Sequence, residues 1–267
     1  MITQTDKFDQ WLRLNGYANN TQRDYKQRVR DFLAFTDGTV TQENTDNYFL
    51  SIQRNYKSKT VNCYRDALSA YCRFKGFVVN VPRRMKEVRK IPDTVTYEYF
   101  ESEIITLAER LFKRPEKAIA ILDLMFKSGL RKSEICELKR ENIDLESRKG
   151  KVYRPKTRDW HVFLFDGVSS DRMKDYFQSV EEGRNAFNIG RGGINHIFLK
   201  IAQNLSGRKF SPHVLRHSLA TRLLQEGVNL RYIQEILGHR SIHSTTRYTH
   251  VDTQNLQKTY LEVMERK

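Results

Sequence analysis

The apolar positions of the first 80 residues recur at helical spacing. Phe8, Trp11 and Leu12 stand at i, i+3 and i+4, and Tyr25, Val29, Phe32 and Leu33 repeat the interval after a cap expected at Asn20 or Thr21. A third short helix is predicted over 43–52. Val61, Tyr64, Leu68 and Tyr71 mark a fourth, with Ser58 before it and Gly76 after it. Opposite these stripes lie Arg23, Lys26, Arg30, Lys57, Lys59, Arg65 and Arg73. A helix with one apolar and one cationic face can bury the first in a small bundle and lay the second along a polyanion. For one helix a solvated face would explain the cations equally well; four in succession favour a partner.

Residues 79–96 break the pattern. They carry two prolines, no helical stripe and a run of cations that includes Arg83 and Arg84. We read 81–96 as a basic linker between a helical domain, 1–80, and a second domain, 97–267. There the helical pattern returns over 98–111 and 115–127. The period changes over 142–165, where Val152, Trp160, Val162 and Leu164 predict short strands around a turn at 155–159. Helices resume near Val168 and again over 195–204. The glycines at 190–193 form neither GxxxxGK[ST] nor GxGxxG, so they predict a loop and no nucleotide cradle. Near the end of the chain, Leu256, Tyr260 and Met264 recur every four residues, as in an amphipathic helix. The expected fold class is mainly α with a small β-sheet or hairpin in the second domain.

Composition adds a partner class. The chain has 267 residues, enough for two domains with a core each, and its 39% hydrophobic content suits a folded protein. Its net charge of +15 points to nucleic acid. The surplus is shared: residues 1–90 hold 17 Lys+Arg against 9 Asp+Glu, and the remainder is basic too. Cys63, Cys72 and Cys136 form no CxxC pair and read as reduced core thiols. The first ten residues lack the apolar core of a signal peptide, and the longest apolar run, 118–126, is too short to span a bilayer. The expectation is a cytoplasmic chain, nucleoid-associated if prokaryotic, with no membrane partner.

The densest chemistry lies in 211–251, which holds five of the seven histidines. On a helix beginning near Pro212, His213, Arg216 and His217 share a face, with Leu215, Leu219, Leu223 and Leu224 on the apolar side. Zinc is a poor fit: HVLRH lacks the glutamate of HExxH, and Arg216 would repel a dication. An anionic substrate fits better. Phosphodiester chemistry needs cations on the nonbridging oxygens, a proton acceptor for the nucleophile and a donor for the leaving group. Arginine supplies a planar fork for two oxygens. A second arginine, Arg131, stands in GLRKSEICEL with Glu134 one turn later, placed to orient it.

GLRKSEICEL, then HVLRH, then LGH at 237–239, then Tyr248 resembles the signature of the tyrosine recombinase (phage integrase) family, and most of all its Xer-like simple recombinases. The resemblance implies a two-domain DNA clamp: a helical core-binding (SAM-like) domain and a catalytic domain. It implies that Arg131 and Arg216 clamp the scissile phosphate. Tyr248 would attack it to form a 3′-phosphotyrosine, with His213 as general base and His239 hydrogen-bonding the phosphate. Glu134 would support Arg131, and His217 would be structural. The family's general acid is a lysine of the β-hairpin; of Lys149, Lys151 and Lys156, Lys156 matches a KT element in the turn. No cofactor or metal is implied. The partner is double-stranded DNA, contacted through Arg23, Lys26, Arg30, Lys57, Lys59, Arg65, Arg83 and Arg84. A homo-tetramer on two DNA sites would form through the C-terminal helix, with packing on its own chain as the alternative for that helix. A type IB topoisomerase and a catalytically silent DNA-binding protein are the rival readings.

Overall fold

The computed structural model describes residues 4–87, 93–154, 158–180, 185–238 and 253–265. The chain divides into two compact units, 1–90 and 91–267.

The first unit holds α1 (Gln4–Leu14), α2 (Asn19–Phe35), α3 (Gln42–Asn55) and α4 (Ser58–Lys75). The stripes read from the sequence form its core: Phe8, Leu12, Val29, Phe32, Tyr48, Phe49, Ile52, Val61, Leu68 and Tyr71 are buried together. Caps differ from expectation. α2 starts at Asn19 after Ala18, which offers no side-chain cap, and Ser58 lies inside α4. α3 is capped by Thr41, whose hydroxyl accepts from Asn44 N–H at 3.1 Å. Gly76 closes α4 at φ 71°, a left-handed turn that costs a residue without Cβ least.

The start of the expected linker is bound to this unit. Buried Asn62 of α4 donates to Met85 O (3.0 Å) and accepts from Met85 N–H (2.9 Å), and Arg65 Nε donates to Pro82 O at 2.9 Å. The cysteines are free, but only Cys72 is fully buried.

The second unit begins with α5 (Tyr97–Tyr99), a π-helical turn (Phe100–Ile105) and α6 (Thr106–Leu111), so the helix expected over 98–111 changes pitch midway. Next come α7 (Pro115–Ser128) and α8 (Lys132–Glu137), then β1 (Ile143–Asp144), β2 (Lys149–Arg154) and β3 (Asp159–Leu164). The unit ends with α9 (Gly167–Gln178), α10 (Arg191–Ala202), α11 (Pro212–Gln225), α12 (Leu230–Leu237) and α13 (Thr253–Met264). α7 is buried on all sides from Ala120 to Ser128, and its apolar residues belong to the core of the unit. Its Asp123 and Lys127 are buried as well and are paired: Lys127 Nζ meets Asp166 at 2.5 Å, and Arg172 meets Asp123 at 2.6 Å.

The three strands form an antiparallel sheet in the order β1-β2-β3, with Val152 opposite His161 and Arg154 opposite Asp159. Gly150, Val152, His161 and Phe163 face inward, while Lys151, Tyr153, Trp160 and Val162 are exposed. Leu224, expected on the apolar side of its helix, is exposed; Leu215, Leu219 and Leu223 are buried. α13 packs on its own unit through Tyr260, Val263 and Met264, and the Tyr260 hydroxyl donates to Lys127 O at 2.5 Å. No described helix is long and apolar enough to cross a membrane.

Candidate active site

Gly129 ends α7 in a left-handed conformation (φ 65°) and turns the chain so that Arg131 precedes α8. Glu134, in the first turn of α8, reaches back. One carboxylate oxygen accepts from the Arg131 backbone N–H at 2.8 Å, and the other accepts from its guanidinium at 2.8 Å. Arg131 Nη2 also lies 3.5 Å from Gly238 O. Its side chain remains 38% exposed, while that of Glu134 is only 6% exposed. Burial alone would raise the Glu134 carboxyl. The Arg131 backbone bond and the charges of Arg154 and Arg131 outweigh it and hold the group below the usual carboxylate range.

Arg216 arrives from α11, whose first turn is set by Ser211 as cap and Pro212 at the opening position. It is buried, donates to Gly129 O, and donates to Leu237 O at 2.5 Å. Two of its five N–H donors are thereby used. Burial, with repulsion from Arg131 and Arg154, lowers its pKa to about 10, which leaves it cationic at neutral pH. The arginines at 131 and 216 thus meet at the Leu237 and Gly238 carbonyls that end α12.

Two residues that the sequence pattern did not single out complete this cluster. Arg154, the last residue of β2, donates from Nε to the same Glu134 oxygen at 2.8 Å and from Nη1 to Gly238 O at 3.2 Å. Buried His161 is pushed down to about 4, by burial first and then by Arg154. Strand alternation was the available signal: 150, 152 and 154 share a parity, and a cation on the inward face of a strand needs an inward partner.

His213 and His217 are exposed on α11 beside buried Arg216. Partial burial and then neighbouring His213 hold His217 below the ordinary histidine range. Lys156, His239 and Tyr248 lie outside the described residues. No three described His, Cys, Asp or Glu side chains are grouped to hold a metal.

In the first unit the expected contact cations fall into two sets. Lys26 pairs with Asp9 (2.7 Å), while Arg65 (2.9 Å) and Arg84 (3.2 Å) both pair with Asp66. Arg23, Arg30, Lys57, Lys59 and Arg83 are exposed.

The phage integrase family model matches residues 101–255. The tyrosine recombinase XerA of Pyrococcus furiosus is 31% identical over 265 residues, covering 95% of this chain and 91% of its own. XerA of Thermococcus kodakarensis is 29% identical over 266 residues, covering 95% and 92%. Among solved structures, the Tn1549 transposon integrase with transposon right end DNA aligns with a TM-score of 0.70 at 16% identity, covering 90% of this chain and 95% of that one. XerH bound to its difH substrate aligns at 0.69 and 15% identity, covering 97% and 82%. The chain belongs to the phage integrase family. Within it, this is a Xer-like tyrosine recombinase, an enzyme of site-specific recombination, and neither the topoisomerase nor the silent-binder reading is favoured.

Proposed function

We propose that the protein binds double-stranded DNA and exchanges its strands through a covalent bond to Tyr248. The convergence of Arg131 and Arg216 at the Leu237 and Gly238 carbonyls carries this reading, because it concentrates positive charge where a phosphodiester would sit. Arg131 and Arg216 hold the nonbridging oxygens. The Tyr248 hydroxyl loses its proton to His213 and attacks phosphorus, and the bond to the 5′ oxygen breaks as that oxygen takes a proton from Lys156. His239 hydrogen-bonds the phosphate, and His217 has a structural rather than a catalytic role. The 3′-phosphotyrosine conserves the bond energy, so the reverse attack by a 5′-hydroxyl rejoins a strand without ATP or metal.

The helical domain (1–80) and the linker (81–96) add phosphate contacts through Arg23, Arg30, Lys57, Lys59 and Arg83, with Lys26, Arg65 and Arg84 contributing from within ion pairs. Residues 97–267 form the catalytic domain. Two DNA sites are bridged by a homo-tetramer in which the groove that takes Tyr260 and Met264 receives the α13 of a neighbouring protomer.

The test is a nicked duplex carrying the protein's footprinted site, mixed with protein without ATP or metal. Wild type leaves a covalent protein–DNA band, and Tyr248→Phe binds the DNA but leaves none. A band in Tyr248→Phe overturns the assignment. Arg131→Ala and Arg216→Ala each slow cleavage by about 10²-fold or more.

A further inference from the structure

We propose that Arg154 is a positioning residue of the phosphate clamp, acting through Glu134 on Arg131. Its side chain is 11% exposed and each of its three guanidinium nitrogens is directed at a protein acceptor, so it faces protein rather than the open side of the site. Its donors point to a Glu134 oxygen at 2.8 Å, to Gly238 O at 3.2 Å and to Leu237 O at 3.5 Å. That Glu134 oxygen is the one that accepts from Arg131 Nη1. One carboxylate atom therefore sits between two guanidinium groups, and a planar fork on one side fixes where it presents to the other. The same fork ties the end of β2 to the last carbonyls of α12.

The slot for Arg154 is specific. Gly238 turns left-handed at φ 59°, and a Cβ on it would collide with the Arg154 guanidinium. An apolar side chain would anchor the hairpin at lower cost, because a buried cation beside Arg131 and Arg216 suffers desolvation and repulsion. What the cation adds is an oriented carboxylate behind Arg131.

The inference rests on the clamp reading of Arg131, and the test separates the two. Cleavage of the nicked duplex is compared for wild type, Arg131→Ala, Arg154→Ala and Arg154→Lys. The scissile position carries either a phosphate or one isomer of a methylphosphonate. The methylphosphonate lacks one charged nonbridging oxygen, so a variant without the cation serving that oxygen recovers on it. Arg154→Ala is expected to cleave the phosphate about 10-fold or more slowly with DNA affinity unchanged. It should recover on the isomer that rescues Arg131→Ala. Arg154→Lys keeps the charge without the fork, and should show a smaller defect with the same isomer preference; it serves if the alanine variant does not fold. Wild-type cleavage by Arg154→Ala, or a defect that persists on the isomer rescuing Arg131→Ala, overturns the assignment of Arg154 alone. Rescue of Arg131→Ala by neither isomer overturns the clamp reading and this proposal with it.

Discussion

At the scale of single residues the site is a problem of charge. Arg131, Arg154 and Arg216 surround one carboxylate, Glu134, so an anion that enters meets a net positive field. His161 shows what burial, and then that field, does to a neighbour. Its folded-state pKa, about 4, lies below the ordinary 6.5, so the unfolded chain takes up a proton first. No penalty exists above pH 6.5, and it grows as pH falls toward 4. At pH 5 it amounts to about 2 kcal/mol. Denaturant unfolding followed by Trp160 fluorescence in a Trp11→Phe background should show this loss between pH 7 and pH 5. His161→Gln should flatten it; an unchanged slope would remove His161 as its source.

At the scale of elements, two joints set the site. The first is the end of α7. A Cβ at Gly129 would stand 2.6 Å from Leu237 Cδ2 and 3.1 Å from Leu219 Cδ2, in a conformation that L-residues adopt at a cost. Gly129→Ala is therefore expected to lower thermal stability by about 1 kcal/mol or more and to slow cleavage as well, because Arg131 follows two residues later. Reduced stability with cleavage intact would show that Arg131 is placed independently of this turn. The second joint is α13. The Tyr260 hydroxyl satisfies a carbonyl in the last turn of α7, a group left without an intrahelical partner. Tyr260→Phe should cost about 1–2 kcal/mol in thermal unfolding, and a smaller effect would mean that water replaces the donor.

At the scale of the whole molecule the question is where the charge of +15 acts. Cations already paired with Asp9 or Asp66 have less to gain from phosphate than exposed ones. DNA affinity should fall steeply with salt. Replacing Lys57 and Lys59 with Gln should reduce the slope of log affinity against log salt by about 0.9 for each phosphate that is no longer neutralised. Titrations at several salt concentrations decide this, and an unchanged slope would place the DNA backbone elsewhere on the surface.

Much of this molecule was readable before folding. The helices of the first unit follow from i, i+3, i+4 stripes, since a helix with one apolar side has one way to bury it. The hairpin follows from a change of period. Arg131, Glu134 and Arg216 follow from residue chemistry and motif order, and the Arg131–Glu134 bond is local enough to be written in the spacing. Less accessible were features that depend on what meets across long separations. Leu224 belongs to an apolar side by count, yet it stays exposed. Arg154 joins Glu134, 20 residues away, and Gly238, 84 residues away. The glycine of LGH suits the left-handed end of a helix, but that it also leaves room for the Arg154 guanidinium is visible only in the fold. Sequence by itself determined the periodicities, the charge and the kind of chemistry, because these are carried by each residue and its near neighbours. Tertiary structure alone decided which cations stay exposed and which are buried against protein acceptors, because desolvation and hydrogen-bond partnership exist only after distant segments are packed together.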